Sequence, residues 1–236
     1  MKVEINTKEE WQEFINLLEF TKRYISALTF KADKDITVKQ LDDAGVCYIE
    51  WHFNPSTIEA NGEKFTVNLP IFIKFVKHLG YPLTMTLGKG KIILYNDKSQ
   101  ATLTLLETDN FHKDTPEIKT TAEMSIGAGL FIDTMKFCSE ISDEVRITID
   151  TDTFTVEAMS DDLTQSYKES FVCTCEGKAR AIFSLDYLAK LKLSGMLTVK
   201  LGNDQPIVIR NEKTTFIVAP RIYGEGDDVY SQSEEQ

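Results

Sequence analysis

Histidine, cysteine and positive charge are all scarce in this chain. Its three histidines (His52, His78 and His112) are widely spaced and form no metal-ligand or triad pattern. Of the four cysteines, Cys47 and Cys138 are isolated, and Cys173 and Cys175 are two apart. A tetrahedral zinc site needs two further ligands at matching spacing. The close pair therefore reads as two packed thiols on one strand face. All four read as reduced thiols in a chain without a secretory signal. No apolar run approaches the ~18 residues that suggest a membrane span. Nucleophile elbows, phosphate loops and dinucleotide fingerprints are missing too. Gly88–Lys89–Gly90 lies between two strand patterns and reads as a hairpin turn. The expectation is a non-enzymatic protein with no cofactor, no bound metal and no membrane contact.

Basic residues number 26 against 37 acidic ones, a net charge of −11. That argues against a uniformly basic nucleic-acid binder. The acid is concentrated in loops and in the stretch 224–236, which reads as an acidic flexible tail. Several lysines fall on the expected helices instead. The paired acids Asp42–Asp43 and Asp161–Asp162 occupy matched positions and read as turn residues satisfying nearby backbone donors.

What the chain does have is a repeat. LTMTLG (Leu83–Gly88) returns as LTVKLG (Leu197–Gly202), a separation of 114 residues in a chain of 236. NLPIFIKF (Asn68–Phe75) matches SLDYLAKL (Ser184–Leu191), pairing Lys74 with Lys190. Both read as short helices with an N-capping Asn or Ser, an apolar stripe and one basic face. DITVKQLDD (Asp35–Asp43) matches TFTVEAMSD (Thr153–Asp161), and both alternate as strands do. Strands at Ala27–Phe30 and Val145–Ile149 precede them. Longer amphipathic helices at Lys8–Thr21 and Leu130–Ser142 come earlier still. Each half closes on a β-meander. The fold class is α+β: two tandem similar domains, each of antiparallel sheets with two helices. The expected boundaries are 1–107, a polar linker 108–118, 119–223, and the tail 224–236.

The stretch Leu197–Ile222 carries Gly202, Asp204 and Pro206 in a hairpin, then Phe216 and Ala219–Pro220–Arg221. In this it resembles the end of the DNA sliding clamp family, the archaeal-type proliferating cell nuclear antigens. SLDYLAKL, ITVKQLDDAGVCYIEW and PEIKTTAEM (Pro116–Met124) are similar to further segments of that family. The resemblance implies the clamp fold and a six-domain trimeric ring, either homotrimer or heterotrimer, around duplex DNA. It implies a processivity factor that tethers DNA polymerase, flap endonuclease, DNA ligase and the clamp loader. The location it implies is cytoplasmic in an archaeal-type cell or nuclear in a eukaryote. By the same resemblance Lys74, Lys77, Lys136, Lys190 and Lys192 face the DNA. The partner pocket is Leu41, Val46, Phe111, Pro206, Ile217, Ala219 and Pro220. The subunit interface pairs Ala101–Glu107, through Ala101, Leu103 and Leu105, with Thr164–Phe171, through Gln165, Tyr167 and Glu169. One departure is clear: the first helix carries Glu9, Glu10, Glu13 and Glu19, where the family usually has several lysines. Two other readings remain. One is a checkpoint-type clamp subunit. The other is a two-domain ligand-binding protein or hydrolase, which would need a cleft with convergent polar groups.

Overall fold

The computed structural model describes residues 1–223 and Tyr230. The chain divides into two compact units, Met1–Thr115 and Pro116–Gln236. Tyr230 apart, the expected tail 224–236 lies outside the described residues.

Unit 1 runs β1 (Lys2–Ile5), α1 (Lys8–Thr21), β2 (Ala27–Ala32), β3 (Ile36–Leu41), β4 (Cys47–Phe53), β5 (Thr57–Glu59) and β6 (Glu63–Asn68). It continues with α2 (Leu69–Leu79), β7 (Leu83–Gly88), β8 (Lys91–Tyr95) and β9 (Gln100–Thr104). Unit 2 runs β10 (Ala122–Gly127), α3 (Ala128–Cys138), β11 (Glu144–Asp150), β12 (Thr153–Met159), β13 (Ser166–Val172) and β14 (Cys175–Gly177). It continues with β15 (Ala179–Ser184), α4 (Leu185–Leu188), β16 (Met196–Leu201), β17 (Ile207–Arg210) and β18 (Thr214–Val218).

The strand orders carry the repeat. In unit 1 they are β5-β1-β7-β8-β9 and β4-β3-β2-β6; in unit 2 they are β14-β10-β16-β17-β18 and β13-β12-β11-β15. Strand for strand the two units correspond, and the strand pairings within each unit are antiparallel. The doubled hexapeptides are β7 and β16, each the central strand of its five-stranded order.

Local chemistry explains the helix bounds. Thr7 and Glu10 form a capping box at the start of α1, with the Thr7 hydroxyl accepting from Glu10 N at 3.1 Å. Asn68 caps α2 by accepting from Ile71 N at 3.2 Å, and Pro70 sits in the first turn, where no donor is lost. The apolar period continues through Val76 and Leu79, so α2 outruns the expected end at Phe75. Gly80, at φ 70°, stops it. Helix α3 starts two residues earlier than expected and ends at Cys138 rather than Ser142. The Ser139 hydroxyl turns back to Lys136 O at 2.7 Å.

The second short helix is a correction. Only Leu185–Leu188 is helical, and Ser184 makes no side-chain cap bond. One turn suffices to bury Leu185 and Leu188, and Leu191 is buried from the following turn. Gly195, at φ 81°, then leads into β16.

Aromatic residues fill the unit 1 core. Phe30 lies 5.0 Å from Phe65, 5.6 Å from Phe72 and 6.0 Å from Trp51, centroid to centroid. Burying a phenylalanine of this kind stabilises by about 1.5–3 kcal/mol. Truncating Phe30 to alanine would cost about 3–5 kcal/mol once the cavity is included. The Trp51 indole N–H donates to the Thr21 hydroxyl at 2.9 Å, which in turn donates to Leu17 O at 2.8 Å. Unit 2 uses a smaller set, with Phe154 stacked between Phe131 and Phe171.

Candidate nucleic-acid and partner interface

Helix exposure decides which lysines can meet a polyanion. Lys74 and Lys77 lie on the exposed face of α2, opposite buried Phe72, Ile73 and Val76. Lys136 is exposed on α3; Lys190 and Lys192 are exposed just beyond α4. Most of these charges are partly answered within their own unit. Lys77 Nζ lies 2.6 Å from Glu19 of α1. Lys136 is 3.7 Å from Asp133, and Lys190 is 3.7 Å from Asp186. Such exposed pairs are worth about 0–1 kcal/mol and loosen with salt. Lys74 has no ion pair among the described residues. The acid of α1 therefore acts on α2 directly, through Glu19.

The polar stretch after β9 lies on the outer face of β2, β3, β4 and β6. Asn110 N donates to the Thr29 hydroxyl at 3.2 Å. Thr29 and Thr66 share a hydroxyl bond of 2.8 Å, and Thr66 donates to Thr108 O. One donor direction satisfies the whole chain: Asn110 to Thr29 to Thr66 to Thr108. Both threonines point away from the core, yet they are buried, at 0% and 2% exposure. Lys64 pairs with Asp109 at 2.9 Å and covers the Phe111 ring at 5.1 Å. His112 N donates to Lys39 O at 2.7 Å, and its ring meets Tyr48 edge-on.

The far end of this strap is held by Glu50. Its carboxylate accepts from Thr115 and from Tyr48 OH and pairs with Lys39 at 3.1 Å. Burial pushes the Glu50 carboxyl up, but the Thr115 hydroxyl and the Lys39 ammonium outweigh it and hold the group below its usual range. Lys64 likewise holds Asp109 down.

The remaining expected site residues are placed within their own units. Leu41 and Val46 are half-buried around the β3–β4 turn, where Asp42 Oδ1 accepts from Val46 N and Cys47 N, both at 2.8 Å. Asp162 does the same kind of work in unit 2. The Ser160 and Thr164 hydroxyls hold its carboxyl down to about 2. Phe111 is half-buried on the strap. Ile217 is buried in β18, while Pro206, Ala219 and Pro220 are half-buried. Strands β9 and β13 each close one edge of their strand order. β9 ends at Thr104, three residues short of the expected Glu107, and β13 begins at Ser166 rather than Thr164. Ala101 and Leu105 are half-buried, and Leu103 faces its own core at 6% exposure. Gln165 is exposed; Tyr167 and Glu169 are half-buried and bonded to each other. The Tyr167 phenol, pushed up by burial and then by Glu169, stands at about 12.

A cleft of about 480 Å³ in unit 2 is lined by groups such as Met124, Ile126, Leu130, Phe171, Val172 and Met196. No charged side chain lines it. Among the described residues no three of His, Cys, Asp and Glu form a metal-holding group.

No protein-family model matches the chain. It is 25% identical over 240 residues to the DNA polymerase sliding clamp of Pyrococcus abyssi, covering 89% of this chain and 95% of that one. Against the clamp of Methanococcus vannielii the identity is 22%, with 89% and 96% covered. A solved structure of the C-terminal region of FEN-1 bound to A. fulgidus PCNA superposes at TM-score 0.79. The identity is 19%, over 94% of this chain and 99% of that one. PCNA from Entamoeba histolytica superposes at 0.79 with 17% identity, covering 94% and 98%. Over most of its length the chain is similar to the DNA polymerase sliding clamps.

The sliding clamp fold accounts for the duplicated strand order. Sequence reasoning missed the Thr29–Thr66 relay and the Glu50 anchor, because outward threonines and glutamates on strands are ordinary. The linker's polarity was the one signal available, and it did not say what the linker lies on. The histidines, widely spaced in sequence, are not all isolated in space. His52 Nδ1 sits 2.8 Å from Asp35, and its Nε2 is 3.3 Å from Glu50.

Proposed function

We propose that this chain is a non-enzymatic subunit of a sliding clamp that encircles duplex DNA and tethers replication and repair enzymes. The observation that carries the reading is the duplicated α+β unit, aligned along nearly its whole length with sliding clamps. Three copies of a two-unit chain, alone or with related subunits, would make a ring of six units. The unpaired edges of β9 and β13 suit closure by strand pairing between chains.

A ring holds DNA by topology, so its phosphate contacts must be weak enough to slide. The lysines meet that need: Lys74 and Lys192, without ion pairs among the described residues, give full attraction, and the partly neutralised Lys77, Lys136 and Lys190 give diffuse, salt-sensitive attraction. The acidic α1 weakens this lining and favours a heterotrimer whose other subunits supply more positive charge. Clients such as polymerase, flap endonuclease, ligase and the clamp loader would engage Leu41, Val46 and the strap-borne Phe111.

The test is primer extension on a singly primed circular template with polymerase and clamp loader. Longer products with this chain, alone or with its partner subunits, are expected. Product length unchanged under both conditions would overturn the reading.

A further inference from the structure

Arg221, Tyr223 and Tyr230 are each fastened to unit 2. Arg221 N donates to Ile182 O at 2.8 Å, and its Nη1 reaches Glu144 Oε2 at 3.0 Å. The Tyr223 hydroxyl donates to the same carboxylate. Farther along, Tyr230 is only 1% exposed. Its ring lies against the Arg146 guanidinium, with the central carbon 4.8 Å from the ring centroid. Its hydroxyl is shared between the carbonyl oxygens of Glu157, at 3.0 Å, and Glu144, at 3.3 Å.

The socket is built from strand residues with other anchors. Arg146 and Glu157 are cross-strand partners on β11 and β12, on the face away from Val145 and Ile147. Arg146 Nε donates to Glu157 Oε2 at 2.8 Å, and Lys168 pairs with Glu157 Oε1 at 2.9 Å. The guanidinium plane is thereby held flat, ready for an aromatic face. The two carbonyls lie where a phenol hydroxyl ends. A phenylalanine would stack but leave them unmatched. A phosphotyrosine would set its anionic oxygens against two acceptors.

We propose that Arg146, Glu157 and the carbonyls of Glu144 and Glu157 form a tyrosine-recognition site on unit 2, filled in cis by Tyr230 of the chain's own C-terminal segment. The natural ligand is an unphosphorylated tyrosine in an acidic peptide. Residues 224–236 carry Glu225, Asp227, Asp228, Glu234 and Glu235.

The full chain is labelled with 3-fluorotyrosine, and the Tyr230 signal is assigned by its loss in Tyr230→Phe. A resonance displaced from that of a synthetic 224–236 peptide is expected, returning toward the peptide position in Arg146→Ala. A Tyr230 signal at the free-peptide position in the unmodified chain overturns the proposal, whatever the fate of the variant. In a second arm the fluorotyrosine peptide is added in trans to full-length Tyr230→Ala, whose socket is empty. Its signal should move toward the docked position. The unmodified chain should need at least about tenfold more peptide, because a tethered occupant competes at millimolar effective concentration. A phosphotyrosine peptide should not bind. An unmoved signal with Tyr230→Ala at millimolar peptide, or equal binding of the phosphopeptide, overturns the site.

Discussion

The Lys77 ammonium sits 2.6 Å from the Glu19 carboxylate and joins the two helices of unit 1 through opposite charges. Lys74, one turn earlier on α2, has no such partner among the described residues. The two lysines should therefore differ in their contribution to DNA retention. Lys74→Glu should lower the salt slope of retention on nicked circular duplex by about one, the share of one phosphate contact. Lys77→Glu should do less, and Glu19→Gln should strengthen retention. A Lys74→Glu clamp with an unchanged slope would remove Lys74 from the DNA-facing set.

Gln40 fills a gap in a ladder. Strands β2 and β3 pair only at Lys31–Thr37 and Ala32–Ile36. Beyond that, the Gln40 side chain accepts from Thr29 N at 3.0 Å and donates to Ala27 O at 2.7 Å. Gln40→Leu would leave both buried backbone groups unmatched, at a cost of about 2–4 kcal/mol. Urea unfolding should show a lower midpoint with an unchanged slope. An unshifted midpoint would mean that the strands can close without the amide.

Acid should release the linker strap before it unfolds the sheets. Glu50 and Asp109 are both held below their ordinary values of 4.5 and 3.8 by strap contacts. A depressed carboxyl stabilises fully above its unfolded value and loses that contribution as pH falls through the folded value. The protection of residues 108–115 against hydrogen exchange, taken relative to the intrinsic amide rate at each pH, should therefore be steady from pH 7 to about 5 and fall below about 4. Glu50→Gln should already be fast at pH 7. Protection that does not change with pH in this range would show that the carboxylates do not hold the strap.

Ring closure through β13 should be sensitive to its neighbour on α3. Phe137 is 46% exposed and meets the Tyr167 ring at 4.7 Å. Phe137→Glu would place a charge beside the edge strand at little cost to the core. Light scattering should show the assembly falling to single chains while the melting temperature stays within a few degrees. An intact assembly would move the interface away from this edge.

Much of the architecture was legible as pattern. The hexapeptide pair, the capping Asn68 and the alternation of Asp35–Asp43 predict elements that the fold contains at nearly the same bounds. Asp42 and Asp162, weighed as turn residues, do hold their turns. SLDYLAKL misled, because its apolar spacing suits a helix of two turns while one turn already buries both leucines. Of the candidate site, lysine exposure was legible, since a helix with one apolar stripe must show its other face to water. Lysine pairing was not, because Glu19 and Lys77 are 58 residues apart.

Sequence alone determined that one α+β unit is made twice, because hydrophobic period and turn chemistry act over a few residues and recur at a fixed spacing. Tertiary structure decided which charges cancel, where Gln40 replaces a strand pair, what the linker covers, and where Tyr230 rests. Those outcomes depend on groups far apart in the chain that meet only when burial brings them within hydrogen-bond distance, and no local pattern encodes such a meeting.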